Sequence, residues 1–424
     1  MNVVGQIRRN QFLRHNAIFL FGSVIVGALN YLYYPVLGRL LSPGTFGEVQ
    51  TLVSLFLQLS IFLTVASMVV VHIVANQDTA DQRNSTVFEF EKLTLFGALV
   101  LLVLSILCGP LLQDWLRFQS PWPFTIMVLA IVVSVPFALR SAYARGRQKF
   151  GLVVGGNIIT AAGKLLASTA LVLLGLGTIG AIGGIVLAQL AACIFIGWRA
   201  YRLGLRLQAK RRLLPDIRLL APELRYGGVV LIVSLAITLQ YSIDIVLVKH
   251  YFDAHTAGLY AGVSAVARIL FFLTASISQV LIPKITHAST AAENEATFWR
   301  SLMLLAGVSI VPLALLMLFP AQIVQLLMGK SYTGLAALLP QLSLSVCIVA
   351  IVNLVATYYL ALRRYHIALP VCAGVILTYL LILLHHGSPN AIVTNLLLGS
   401  SAALVATGVW ILTERRYGPW NAKR

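Results

Sequence analysis

Twelve apolar runs, each long enough to cross a bilayer, partition this chain of 424 residues, and its lysines and arginines gather in every second gap between them. A spanning helix needs about 20 predominantly apolar residues. The runs fall at 17–38, 48–75, 93–114, 124–143, 152–174, 178–198, 227–249, 258–283, 298–320, 334–360, 368–384 and 391–413. Lipid offers no hydrogen-bond partners, so apolar runs of this length satisfy their backbone groups as helices. The spacing predicts an all-α polytopic membrane protein of about twelve transmembrane helices.

The basic residues orient those helices. Of the 31 lysines and arginines, 25 lie in the even-numbered connections, within a helical turn of them, or at the two ends of the chain. Only Arg39, Arg117, Lys249 and Lys330 lie in or at the edge of odd-numbered connections, and Lys164 and Arg268 fall well inside spans. Cytoplasmic loops carry the excess of positive charge, so both termini are expected to face the cytoplasm.

Composition excludes other classes. With 59% hydrophobic and 10% charged residues, the chain is far from soluble usage, in which about a quarter of residues are charged. The net charge of +18 sits beside span ends, where anionic lipid headgroups explain it better than nucleic acid does. Cys108, Cys193, Cys347 and Cys372 lie within spans and form no C-x-x-C pair, so no disulfide framework and no metal site is expected. His385-His386 reads as a polar loop pair. The basic start resembles a signal peptide, but the run that follows is long enough to span and lacks a small-residue cleavage pattern, so it is read as a retained first helix.

The longest polar interval divides the spans six and six. The expected organisation is an N-terminal lobe (1–198), a basic cytoplasmic linker (199–226) and a C-terminal lobe (227–424). Arg199, Arg202, Arg206 and Lys210 could set an amphipathic helix on the inner leaflet, but an orienting linker is the favoured account, since the positive-inside bias alone explains the charges. A weak internal repeat supports two lobes. Asn30-Tyr31, Gly38-Arg39 and Phe46-Gly47 align with Gln240-Tyr241, Val248-Lys249 and Ala257-Gly258, at an offset of 210 that becomes 211. Parallel repeats of this kind build transporters, with the substrate site at the repeat interface. Gly180-x-x-x-Gly184 permits close helix approach. Pro35, Pro136, Pro283 and Pro312 should kink their spans, and Pro35 is the candidate gate hinge.

Three charges lie within apolar spans: Lys164, Asp244 and Arg268. Each carries an insertion penalty of roughly 2.5 to 3.5 kcal/mol at a helix centre. One reading is a buried ion pair, Asp244 with Arg268, locking two helices. The other is a wet central cavity whose cations hold an anionic headgroup, with Asp244 as counter-ion or coupling carboxylate. Arg39 and Lys249, equivalent in the repeat, would receive the headgroup near the outer mouth or serve as interfacial anchors. Asn30, Gln240, Gln58, Asn157, Gln189 and Gln279 add amides suited to hydroxyl-rich cargo or to helix-helix hydrogen bonds.

Enzyme signatures are missing: there is no G-x-S-x-G, H-E-x-x-H or P-loop, and no catalytic residue or cofactor is expected. The run Asn16-Ala-Ile-Phe-Leu-Phe-Gly-Ser23, followed by Gly38-Arg-Leu-Leu-Ser-Pro-Gly-Thr-Phe-Gly-Glu-Val49, resembles the polysaccharide transporter family of the multidrug/oligosaccharidyl-lipid/polysaccharide exporter superfamily. Asp244 and Ala257-Gly258-Leu259-Tyr260 echo it in the second half. The resemblance implies two six-helix lobes around a central cavity, alternating access, and flipping of undecaprenyl-diphosphate-linked oligosaccharide for surface polysaccharide such as O-antigen. Partners would be that lipid-linked oligosaccharide, membrane lipids, and a polysaccharide polymerase or glycosyltransferases. The resemblance would place the chain in the bacterial inner membrane, and the residues expected to contact the substrate, read from the buried charges and the repeat, are Arg268 first, then Lys164, Arg39, Lys249, Asn30 and Gln240. A multidrug or lipid II exporter on the same fold, or a membrane glycan polymerase or ligase, are the alternatives.

Overall fold

The computed structural model describes residues 3–76, 80–202, 221–274, 277, 285 and 290–417. Most of the expected basic linker, residues 203–220, lies outside these, as do Gln279 and Pro283. The described residues form fourteen α-helices and no strand. These are α1 (Val3–Leu40), α2 (Pro43–Asn76), α3 (Ala80–Leu107), α4 (Gly109–Leu116), α5 (Trp122–Gly146), α6 (Phe150–Leu173) and α7 (Gly177–Arg202), then α8 (Ala221–Tyr251), α9 (Ala254–Ala267), α10 (Ala291–Leu318), α11 (Pro320–Met328), α12 (Leu339–Ala361), α13 (Ala368–Leu384) and α14 (Pro389–Tyr417). Eleven helical segments among the described residues are long and apolar enough to cross a membrane, and the first expected span lies within α1. The chain is a multi-pass, all-helical membrane protein.

The helix boundaries are duplicated. α1 and α8 end at Leu40 and Tyr251, and α2 and α9 begin at Pro43 and Ala254. α3 and α10 run Ala80–Leu107 and Ala291–Leu318, and α4 and α11 begin at Gly109 and Pro320. Each of these pairs is separated by 211 residues, the offset of the sequence repeat, so the chain is seven helices written twice. The starts of α5 and α12 lie further apart, because the second half forms a 3-10 segment, Lys330–Leu338, before α12, but the ends of α6 and α13, Leu173 and Leu384, are again 211 residues apart.

Two expected external connections, 115–123 and 321–333, are not plain loops. α4 and α11 occupy parts of both. Pro110 and Pro320 sit in their first turns, where a missing N–H is no loss. Arg117 and Gly329 end them at positive φ, 51° and 102°, a common way to stop a helix. Arg145, beyond the expected run 124–143, is inside the last turn of α5, and Arg140 lies a little earlier in the same helix.

Packing divides the chain into two compact units. One is Met1–Leu41 with Leu55–Gly228; the other is Ser42–Ser54 with Val229–Arg424. The first unit is centred on Val70, Ile73, Val87, Val135 and Leu139, all buried. The second is centred on Val233, Leu354, Ala356 and Ile367. α3 and α10 turn apolar side chains outward, and their equivalent residues Leu107 and Leu318 are 69% and 70% exposed. Such surfaces suit lipid.

Helix starts follow capping chemistry. Thr290 and Glu293 form a reciprocal capping box on α10, satisfying two orphan donors. Asp253 caps α9, its Oδ2 accepting from the backbone N–H groups of His255 and Thr256 at 3.0 Å each. Those donors, Thr256 first, hold its carboxyl below the usual value. Asp253→Ala should lower stability by about 1 kcal/mol at neutral pH. Because the folded-state value is depressed, the cap's contribution is full above about pH 4 and fades as pH falls below it. Thermal unfolding of both proteins across that range should show their difference shrinking towards acid.

Candidate functional site

Asp244 lies on α8 and faces three donors from one side of α9. Tyr260, Ser264 and Arg268 are spaced by four, so they share a helical face. Arg268 donates to Asp244 Oδ1 at 2.9 Å, while Tyr260 and Ser264 donate to Oδ2 at 3.0 and 3.1 Å. Helical side chains lean towards the helix N-terminus, which carries the Arg268 guanidinium back towards Asp244. Its other side lies over the Tyr241 ring at 5.7 Å, and Tyr241 stacks on Phe271 at 4.4 Å. Asp244 and Arg268 are 3% and 2% exposed. The carboxylate is therefore fully engaged and the guanidinium already neutralised.

Beside this pair, Gln240 donates to Thr378 of α13 at 2.9 Å, and its buried Oε1 has no hydrogen-bond partner. Gln240, Asp244, Ser264 and Ser345 border a cavity of about 10 Å³. Gln240 and Ser400 border a second of the same size. Such a space holds one water at most; a diphosphate does not fit.

The first unit presents a different arrangement. Lys164 of α6 donates to Asn30 of α1 at 2.8 Å and sits 4.4 Å from the centre of the Tyr33 ring. Among the described residues it has no carboxylate partner, and it is half-buried. Tyr33 is fixed in turn, its hydroxyl 3.4 Å from the Ala181 carbonyl, which also accepts from Ser168 at 2.7 Å. Each amide of the sequence repeat thus bonds the fifth span of its own half: Asn30 with Lys164, and Gln240 with Thr378. Only the first half places a cation there, and its partners are neutral.

The remaining candidates lie elsewhere. Arg39 is exposed at the end of α1. Lys249, its repeat equivalent, is 1% exposed and 3.8 Å from Glu48. Pro35 is buried five residues before the end of α1, which stays helical through it. Sequence reasoning named Tyr260 only within the family resemblance and overlooked Ser264 and Thr378, although the spacing of Tyr260, Ser264 and Arg268 was legible. It also missed the pair of Glu91 on α3 with Arg140 on α5, at 3.0 Å, because both were assigned away from the spans' packed faces.

Residues 13–289 match the family described as polysaccharide biosynthesis protein. No curated protein matches the chain. Among solved structures, the lipid II flippase MurJ in an inward closed conformation superposes with a TM-score of 0.74 at 12% identity, covering 95% of this chain and 88% of that one. The MATE multidrug transporter DinF-BH gives 0.72 at 14% identity, over 96% of each chain. An inward-facing multidrug resistance MATE family transporter of the MOP superfamily gives 0.66 at 12%, over 92% and 97%. At these identities the likeness establishes the two-lobed fold.

Proposed function

Since this chain belongs to the polysaccharide biosynthesis protein family, we propose that it is an inner-membrane flippase for undecaprenyl-diphosphate-linked oligosaccharide, working by alternating access with both termini in the cytoplasm. The cargo would be a precursor of surface polysaccharide such as O-antigen, handed on to a polymerase. One observation carries the reading: Lys164, held midway along α6 by Asn30 and Tyr33, is a cation without a counter-charge among the described residues. A phosphate entering a low-dielectric path needs such a partner. Arg268, already matched by Asp244, is assigned instead to holding α8 against α9, and Arg39 to a secondary contact at the outer mouth. A multidrug exporter would be served by an open carboxylate, whereas the Asp244 carboxylate is saturated by three donors. Outward movement of an anionic headgroup is favoured by an inside-negative potential, at about 2.3 kcal/mol per charge per 100 mV.

The test is flipping of a fluorescent lipid-diphosphate oligosaccharide in proteoliposomes. Lys164→Ala should slow it by about tenfold or more, while Lys164→Arg keeps most of the rate, since one charge-assisted hydrogen bond is worth roughly 1.5 to 3 kcal/mol. Wild-type flipping by a well-folded Lys164→Ala protein, or transport of a cationic dye in preference to the lipid, would overturn the proposal.

A further inference from the structure

Building on the proposed topology, which puts the α1–α2 and α8–α9 turns outside, we infer that Glu48 and Lys249, set beside a glycine crossing of α2 and α9, form the latch of the outer gate. The residues Ser42–Ser54 pack in the second unit, whereas α2 from Leu55 onwards packs in the first. The start of α2 meets the start of α9 at two glycines that are equivalent in the 211-residue repeat, Gly47 and Gly258. A Cβ on Gly47 would stand 2.9 Å from Gly258 Cα, and one on Gly258 would strike the Pro43 carbonyl and lie 2.9 Å from Gly44 N. Gly44 in turn faces Ala254, the repeat equivalent of Pro43, at 3.6 Å. The contact is thus reciprocal, as when one surface meets a copy of itself. Backbone touches backbone, and neither glycine position admits a side chain.

The charge pair departs from that symmetry. Glu48 corresponds to Leu259 in the repeat, so the pair is an addition to the crossing. Both partners are buried, at 4% and 1% exposure, and breaking a buried pair by removing one partner is costly. On the same stretch of α2, both amide atoms of Gln50 and the hydroxyl of Ser54 are buried without a hydrogen-bond partner, as is the hydroxyl of Tyr332. Tyr332 lies edge-on to Phe46, ring centres 5.7 Å apart. Buried orphans of this kind are costly until water reaches them. Parting α2 from α9 would hydrate them, so the ion pair and the glycine crossing hold shut a contact that otherwise favours opening.

The experiment uses the full-length protein with its four cysteines replaced and Ser54→Cys as reporter, labelled with a membrane-impermeant maleimide in whole cells or in inverted vesicles. Lys249→Ala should raise labelling from outside by about tenfold, a shift of roughly one decade in the open population, and slow flipping. The swap Glu48→Lys with Lys249→Glu should return both towards wild type. Gly258→Ala, which leaves the charges intact, should raise outside labelling as well. Unchanged labelling in folded Lys249→Ala and Gly258→Ala proteins would overturn the latch. A rise seen only in inverted vesicles would overturn the outer placement and with it the topology proposed above. Loss of flipping alone, with the labelling pattern as expected, would bear on the cargo and leave the latch standing.

Discussion

Arg268→Ala should destabilise the protein by about 3 to 5 kcal/mol, because it leaves Asp244 as an uncompensated buried charge. Tyr260 and Ser264 still donate to Oδ2, but two neutral hydrogen bonds do not replace a guanidinium held 2.9 Å from Oδ1. Asp244→Asn combined with Arg268→Met should recover most of the loss. The asparagine keeps an acceptor for both hydroxyls, and methionine fills the space against Tyr241 without charge; neutral replacement of a buried pair is often tolerated or stabilising. Unfolding in mixed micelles would give the three values. If Arg268→Ala unfolds at the wild-type midpoint, Asp244 is not the dry carboxylate that its three donors imply. Flipping by the double variant separates the roles further. A near-wild-type rate fits a helix lock, whereas a tenfold loss in a stable double variant would return Arg268 to the transport path.

Why that pair had two open readings from sequence is a matter of reach. The apolar runs and the alternating basic gaps were enough to give the number and class of spans, since lipid leaves helices as the only outlet for their backbone groups. The direction of a single side chain within a span is not encoded in hydropathy. Asp244, Tyr260, Ser264 and Arg268 could be placed on facing helices, but whether Arg268 pointed to Asp244 or to a cavity depended on the lean of its side chain and the tightness of the α8–α9 turn. Lys164 shows the same limit from the other side. Its burden in lipid was plain, but its neutral partners, Asn30 and Tyr33, lie 134 and 131 positions away, beyond any local pattern.

The duplication was half legible. Sequence likeness survived near Asn30 and Gln240 because those amides tie spans together in each half. It faded over α3 and α10, whose lipid-facing surfaces tolerate any apolar residue. Their boundaries stayed 211 residues apart because helix length and turn geometry are constrained where side-chain identity is not. α4 and α11 escaped notice because runs of eight and nine residues are too short for a span, and hydropathy merged most of α4 into the run 93–114 and left most of α11 in the connection 321–333.

Gly184→Ala and Gly399→Ala should each destabilise the protein by about 3 kcal/mol or more, near or beyond the upper end of ordinary overpacking, yet they should respond differently to a second substitution. A Cβ on Gly184 would strike the backbone N and side chain of Ser168 and stand 2.5 Å from its Cα. On Gly399 it would meet first the hydroxyl of Thr378, then its Cβ at 2.7 Å and Cα at 2.8 Å. Thr378→Gly should therefore relieve part of the Gly399→Ala defect, whereas Ser168→Gly should do little for Gly184→Ala, since that obstruction is main chain. Neighbouring glycines provide the control. Gly408, on the same helix as Gly399, has nothing within 4 Å of its missing Cβ, so Gly408→Ala should be neutral or stabilise by up to about 1 kcal/mol through helix propensity. Gly183, one residue from Gly184, meets only Leu171 at 3.7 Å and should accept alanine. A double-mutant cycle on folded yield and unfolding midpoint reads these differences directly. If Gly184→Ala and Gly183→Ala behaved alike, the backbone contact between α6 and α7 would be looser than the structure has it, and Ser168 could no longer be counted on to hold Ala181 and Tyr33 in place beside Lys164.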